Sequence, residues 1–111
     1  MSYKEEFSNH FELGFNLDKF PVKLFDRSYR NDICPSFYFN IKNQFFILWT
    51  DYKEKDLRDE PESKRYTLVY GINEGDNEYK EICTDYDKEP ILSSDNILQI
   101  EDLIRDLGKN I

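Results

Sequence analysis

Residues 45–49 read Phe-Phe-Ile-Leu-Trp, and this stretch decides the fold because it is apolar at even and odd positions alike. Successive side chains of a strand point to opposite faces, so a strand that is apolar throughout has both faces covered. The pattern therefore predicts a strand at the centre of a sheet. Nine Phe, eight Tyr and one Trp supply apolar surface for a core in a chain of 111 residues.

The segments around this stretch predict an antiparallel meander. Each is rich in aromatic and β-branched residues or alternates apolar with polar positions. Four strands are expected, over residues 36–41, 44–52, 65–72 and 79–85. Lys42-Asn43 forms the tight turn between the first two, and Asn73-Glu74-Gly75-Asp76 forms the turn between the last two.

The C-terminal segment carries the clearest helical pattern. Its apolar residues recur at steps of three and four and form one stripe: Ile97, Ile100, Ile104, Leu107 and Ile111. A helix is predicted over residues 95–107, with Ser93 or Ser94 as its cap and Gly108 just past its end. We expect this helix to return across one face of the sheet.

The N-terminal third has a weaker pattern. Residues 3–13 fit a short helix with Tyr3, Phe7 and Phe11 inward, whereas residues 15–25 are apolar without a regular period. Part of this segment is expected to cover the second face of the central strand. The sequence as a whole predicts a single α+β domain over residues 1–111, with a mostly antiparallel sheet of about four strands and a C-terminal helix on one face.

The charge is strongly acidic and unevenly distributed. Acidic residues outnumber basic ones 23 to 15, which gives a net charge of -8. Residues 1–50 are neutral overall, residues 51–89 carry -6 and residues 90–111 carry -2. Direct binding to nucleic acid or to an anionic membrane needs clustered Lys and Arg, so this balance argues against both.

The remaining compositional signals point to the cytoplasm. No run of 18 apolar residues is present, and the polar start Met1–Glu6 lacks the apolar core of a signal peptide. The two cysteines, Cys34 and Cys83, are too few for a disulfide scaffold, and we interpret them as reduced, buried small residues. A disulfide and a metal or redox role are the alternatives.

The sequence offers little for catalysis or metal binding. His10 is the one histidine, and CxxC, HExxH and P-loop motifs do not occur. Residues 51–62 superficially fit a calcium loop, but Lys53 and Lys55 stand where oxygen ligands belong. Acidic pairs such as Asp59-Glu60 look like ordinary solvent-exposed residues. A domain this small also leaves little room for the deep cleft in which two catalytic carboxylates would lie. We therefore predict no enzymatic activity, no cofactor and no metal.

The connection over residues 53–64 is the candidate functional segment. It has twelve mostly charged residues, whereas hairpin loops usually have two to five. It is either a solvated loop or an acidic surface presented to a partner. In the second case we expect neighbouring hairpins to bring its acidic residues beside those of the turn that follows residue 73. The candidate partner-binding residues are Tyr52, Asp56, Asp59, Glu60, Glu62, Glu74, Asp76 and Glu78, with Tyr66 and Tyr79 as further flat anchors.

Such a surface favours a basic protein partner, above all an enzyme that acts on nucleic acids. The strand over 45–52, the charged connection, the strand over 65–72 and the closing segment 94–108 resemble the immunity proteins of bacterial toxin–immunity pairs, such as those of contact-dependent growth inhibition. The resemblance covers residues 36–108. It implies a small acidic cytosolic protein that binds a toxin tightly, a nuclease being the expected toxin, and it carries over no individual functional residue.

Two other classes remain open. The first is an inhibitor encoded by a phage or mobile element, of the anti-CRISPR or DNA-mimic type. Lys53, Lys55 and Arg58 interrupt the acidic run, which favours a specific protein interface over mimicry of DNA charge. The second is a small enzyme or ligand carrier with an aromatic pocket. Its pocket would be formed by Phe37, Phe39, Phe46 and Trp49, residues that equally suit a plain core.

Overall fold

The computed structural model describes residues 3, 7, 11–28, 34–58, 60 and 62–109. In this part of the chain six strands precede one α-helix. They are β1 (Phe25–Asp26), β2 (Ser36–Ile41), β3 (Gln44–Thr50), β4 (Tyr66–Asn73), β5 (Ile82–Thr84), β6 (Leu92–Ser94) and α1 (Ile97–Lys109), with single 3-10 turns at Leu17–Lys19 and Lys55–Leu57. The predicted α+β class is confirmed, but the sheet has six strands rather than four.

The sheet is antiparallel throughout and runs in the order β1-β2-β3-β4-β5. Strand β4 is long enough to take two partners on its outer edge. Strand β6 pairs with its first half, opposite Tyr66–Leu68, and β5 pairs with its second half, opposite Gly71–Asn73. The sequence did not predict β1 or β6, because strands of two and three residues are too short to show an alternating pattern.

The turn between β2 and β3 forms as predicted. Lys42 and Asn43 have positive φ angles of 52° and 69°, which is the backbone of a two-residue I′ turn. The side-chain oxygen of Asn40 accepts a hydrogen bond from the Asn43 N–H at 3.1 Å. Asparagine tolerates this left-handed conformation better than most residues, so local chemistry sets the register of the hairpin.

The central strand is covered on both faces, as residues 45–49 predict. Phe46 and Leu48 belong to the main core, where Ile100 and Ile104 of α1 pack against them. On the other face Ile47, which is fully buried, packs in a smaller cluster. That cluster also holds Val69 and Ile82, with Tyr38, Phe45 and Trp49 partly buried around it.

The N-terminal segment contributes to the two faces unequally. Its apolar residues Phe15, Phe20, Val22 and Leu24 pack into the core beneath the helix rather than on the second face. The second face receives Phe25, which stacks on Tyr38 at 5.0 Å, and Arg27, which lies 5.3 Å from the Trp49 ring.

Arg27 also joins two distant parts of the sheet. Its Nε donates to the Ile82 carbonyl of β5 at 3.0 Å, and its Nη1 donates to the Ser36 hydroxyl of β2 at 2.9 Å. These bonds span the face opposite the helix, so the sheet curls around the small cluster.

Helix α1 begins and ends two residues later than predicted. Asn96, rather than Ser93 or Ser94, caps it, since the Asn96 side-chain oxygen accepts the Leu98 N–H at 3.0 Å. Gly108 lies inside the helix and does not act as the residue that ends it. Four residues of the predicted stripe face the core, with Ile100 and Ile104 buried and Ile97 and Leu107 partly buried against them, whereas Ile111 lies outside the described residues.

The proposed N-terminal helix over 3–13 falls mostly outside the described residues, as does His10. Among the residues described there, the Phe7 N–H donates to the Tyr3 carbonyl at 2.9 Å, and residues 11–13 are not helical. The Tyr3 ring contacts Phe37 edge-on at 5.8 Å. The expected inward packing of aromatic residues in this segment is thus present at Tyr3.

Candidate functional site

The predicted acidic residues form two separate groups. We call residues 53–64, between β3 and β4, the acidic loop, and residues 74–81, between β4 and β5, the tip loop. Consecutive connections of a meander lie at opposite ends of the strand they share, which is β4. Eight residues of strand separate them by roughly 23 Å. The expectation that the two sets of acids lie side by side is therefore wrong.

The acidic loop is built around the guanidinium of Arg58. This side chain is only 3% exposed and satisfies three backbone carbonyls of the loop. Nε donates to the Tyr52 carbonyl at 2.7 Å, Nη1 to that of Ser63 at 2.7 Å and Nη2 to that of Lys53 at 3.2 Å. The fork of donors therefore holds the two ends of the loop together.

Asp95 ties the acidic loop to the start of α1. Its Oδ1 accepts the Arg65 backbone N–H at 2.9 Å and lies 3.3 Å from Nη1 of Arg58, and Lys64 approaches Oδ2 at 3.9 Å. The Arg65 N–H is the chief reason that the pKa of Asp95 lies below its ordinary value of 3.8, and the Arg58 guanidinium adds to this effect. The charged carboxylate is therefore the form that the fold favours.

The exposed side of the acidic loop combines carboxylates with one apolar residue. Asp56, Glu60 and Glu62 are exposed, and Asp59 lies outside the described residues. Leu57, within the 3-10 turn Lys55–Leu57, is 57% exposed. An exposed leucine among carboxylates on an ordered loop has the composition of an interface anchor with a polar rim.

Sequence reasoning missed both Leu57 and Arg58. A signal for Leu57 was available, because it is the one large apolar residue in twelve mostly charged positions. Arg58 is the one arginine among the cations of this segment, but nothing in the sequence indicates that its guanidinium is buried. Only the three carbonyls gathered around its guanidinium distinguish it.

The three tyrosines proposed as flat anchors have different environments. Tyr79, in the tip loop, is 75% exposed. Tyr52 is half-buried, with its ring 4.9 Å from Phe11 of the N-terminal segment. Tyr66 is buried and donates its hydroxyl to the Leu13 carbonyl at 2.7 Å, and burial raises its pKa above 10.0. Tyr66 is thus a core residue and not an anchor.

The tip loop is held by its own residues. The Asn73 side-chain oxygen accepts the N–H groups of Gly75 and Glu81, both at 3.0 Å, and the Asp76 carboxylate accepts the N–H groups of Glu78 and Tyr79 at 2.9 and 2.6 Å. These are local side-chain-to-backbone bonds that asparagine and aspartate favour in turns. The acids of this loop, Glu74, Asp76 and Glu78, are all exposed.

A cleft of about 610 Å³ opens on the sheet face opposite α1. Trp49, Thr67 and Val69 of β3 and β4 lie on its floor. Ser63 and Lys64 at the end of the acidic loop also line it, as do four residues of the β5–β6 connection, Tyr86, Lys88, Glu89 and Pro90. The cleft and the acidic loop are therefore contiguous.

The aromatic pocket considered as an alternative does not form. Phe37, Phe39 and Phe46 are buried in the core, with Phe39 stacked on Phe46 at 5.2 Å, whereas Trp49 packs on the opposite face. Cys34 is buried and Cys83 half-buried, and no disulfide joins them. Within the described ranges no three His, Cys, Asp or Glu residues are placed to hold a metal ion.

Comparisons with family models, with curated proteins and with solved structures find no match to this chain. Among the residues that the structure covers, no helix has both the length and the apolar character needed to cross a membrane. The function must therefore be argued from the geometry of the acidic loop and the cleft.

Proposed function

We propose that this chain is an immunity-type protein, which binds a basic toxin in the cytoplasm, a nuclease being the expected class, and covers its active site. The chain performs no reaction in this mechanism. The acidic loop is the surface that it presents, with Asp56, Glu60 and Glu62 facing the cationic groups with which a nuclease binds phosphate.

The observation that carries this proposal is the exposed Leu57 on a loop whose two ends Arg58 links by hydrogen bonds. A loop that is ordered before binding loses little conformational entropy when a partner docks, so more of the contact energy appears as affinity. The carboxylates around it accelerate encounter with a basic partner, and the leucine supplies apolar area that slows dissociation.

Binding kinetics with the product of the neighbouring gene test the proposal, because an immunity gene is expected to lie directly after the gene of its toxin. A double reversal, Asp56→Lys with Glu60→Lys, should lower the association rate at low salt by about tenfold, because it removes electrostatic steering. Leu57→Ala should raise the dissociation rate by roughly tenfold, as expected for an anchor at the centre of an interface.

The matched control is the reversal Glu74→Lys with Glu78→Lys in the tip loop. It changes the net charge by the same amount at the far end of β4 and should leave dissociation unchanged, with a much smaller loss in association rate. Equal effects of the two reversals, or no binding by the neighbouring gene product, would contradict the proposal. Binding to a host nucleic-acid enzyme instead would indicate the inhibitor class encoded by phages and mobile elements.

A further inference from the structure

The acidic loop alone is too small for the interface that the proposed function needs. A stable protein interface of standard size buries about 800 Å² on each partner and involves roughly 20–30 residues a side. The loop has twelve residues, and Arg58 among them is buried. The partner must therefore also contact a surface beside the loop, and that surface has to suit a basic protein.

The cleft is one neighbour of the loop, but its charge does not suit a basic partner. Three cations line it, Lys64, Arg65 and Lys88, against the two carboxylates of Asp51 and Glu89. Like charges that face each other across an interface oppose binding. The cleft is therefore a poor extension of the interface.

The start of α1 is a second neighbour, because it lies at the same end of the sheet as the acidic loop. Strand β6 runs antiparallel to β4, so its last residue, Ser94, pairs with Tyr66, the first residue of β4. The next residue, Asp95, contacts the loop directly. Its Oδ1 lies 3.3 Å from Nη1 of Arg58, and its Oδ2 lies 3.9 Å from Nζ of Lys64. The first turn of α1 therefore adjoins the acidic loop.

This turn exposes an apolar residue close to carboxylates. Leu98 is 60% exposed, about as much as Leu57, and lies outside the stripe of α1 that packs on the sheet. Asp95 precedes it by three residues and has a side chain that is 43% exposed. Asp102, one turn later, is 76% exposed although it pairs with Arg105 at 3.2 Å. The helix start thus repeats the arrangement of the acidic loop, an exposed leucine with acidic neighbours.

We propose that the basic protein bound by the acidic loop also covers the first turn of α1, with Leu98 as its second apolar anchor. This inference rests on the proposed function and defines its binding surface more closely. The contact between Arg58 and Asp95 links the two elements that carry the leucines. A partner held at both leucines is restricted in its rotation about the first, so the second anchor also sets its orientation.

The test is the dissociation rate of the complex with the product of the neighbouring gene. Leu98→Ala should raise this rate about fivefold, as expected for an apolar contact within an interface. Leu57→Ala with Leu98→Ala should raise it by the product of the two single effects, because the side chains lie on separate elements. The Tm of Leu98→Ala should stay within about 2 °C of wild type, since alanine is a good helix former and no buried side chain is lost.

Ile72→Thr is the matched control. Ile72 is 39% exposed in the second half of β4, next to the tip loop, and threonine keeps the β-branch that suits a strand. The variant removes exposed apolar surface at the far end of β4 and should leave the dissociation rate unchanged. An equal rise for Ile72→Thr and Leu98→Ala would overturn the inference, because the effect would not be local to α1.

The two leucine variants separate this inference from the proposed function. Wild-type dissociation by Leu98→Ala, together with fast dissociation by Leu57→Ala, would overturn the inference and leave the proposed function standing. Fast dissociation by Leu98→Ala alone would place the contact on α1 and contradict the role of the acidic loop. Absence of any complex with the neighbouring gene product would contradict both.

Discussion

The acidic loop and the tip loop carry similar exposed carboxylates but are held in place by different means. The acidic loop depends on Arg58, which links carbonyls at both of its ends and reaches Asp95 at the start of α1. The tip loop depends on Asn73 and Asp76, which bond to backbone groups within eight residues. The conformation of the acidic loop therefore depends on the rest of the folded domain, whereas that of the tip loop is determined by residues close in sequence.

This difference has a functional meaning. A loop that is tied at both ends to the strand and helix beside it restricts the positions that Leu57 can take, which favours a tight interface. A loop that is closed on itself at the end of a hairpin adds charge without fixing a partner's orientation relative to the body. The comparison predicts that changes at the two loops have separable effects on stability and local order.

The largest effect is expected for Arg58→Ala. Removing the guanidinium leaves three carbonyls without this donor, while Asp95 keeps the Arg65 N–H, so we expect the free energy of unfolding to fall by about 3 kcal/mol. Urea denaturation measures the loss. Amide hydrogen exchange should accelerate across the acidic loop and remain slow in the tip loop.

Two controls sharpen this prediction. Arg58→Lys keeps the charge but lacks the fork of donors, so it should recover only a small part of the lost stability. Arg105→Ala removes an arginine whose side chain is 51% exposed in its pair with Asp102, and its effect should stay within about 0.5 kcal/mol. Equal losses for Arg58→Ala and Arg105→Ala would refute the role assigned to Arg58.

The next largest effect is expected for Gly75→Ala in the tip loop. A Cβ at this position would collide with the Tyr79 carbonyl oxygen, so the loop must open and the free energy of unfolding should fall by about 2 kcal/mol. Hydrogen exchange should now accelerate in the tip loop alone. Gly108→Ala is the matched control: nothing lies near its Cβ, and it should stabilise the helix by about 0.5 kcal/mol.

The smallest effect is expected for Asp95→Asn, and its signature is a dependence on pH. The folded state lowers the pKa of Asp95 below 3.8, so the carboxylate stabilises the fold above that pH, and this contribution disappears as the pH falls through the lowered pKa. Wild type should be more stable than the variant at neutral pH, with a margin limited by the 43% exposure of this side chain. A margin that persists at pH 2 would show that the charge is not its source.

The contrast between the loops also explains which features were predictable. The central strand, the Lys42-Asn43 turn and the α1 stripe were predicted because each depends on residues close in sequence. The pairing of β6 with β4 was not predicted, because three residues show no pattern of their own. They are recognised as a strand only by their pairing with the first half of β4. The separation of the two acidic groups could have been predicted from the order of the strands, because successive turns of a meander lie at opposite ends of the strand that they share.

The sequence by itself determined the α+β class, the order of the main strands, the helical stripe and the acidic surplus, because period and composition act over a few residues at a time. Only the tertiary structure decided which cation became buried, which leucine stayed exposed and where a cleft opened. The Arg58 guanidinium meets both ends of its loop and Asp95, and residues of β3, β4 and the β5–β6 connection that are distant in sequence line the cleft.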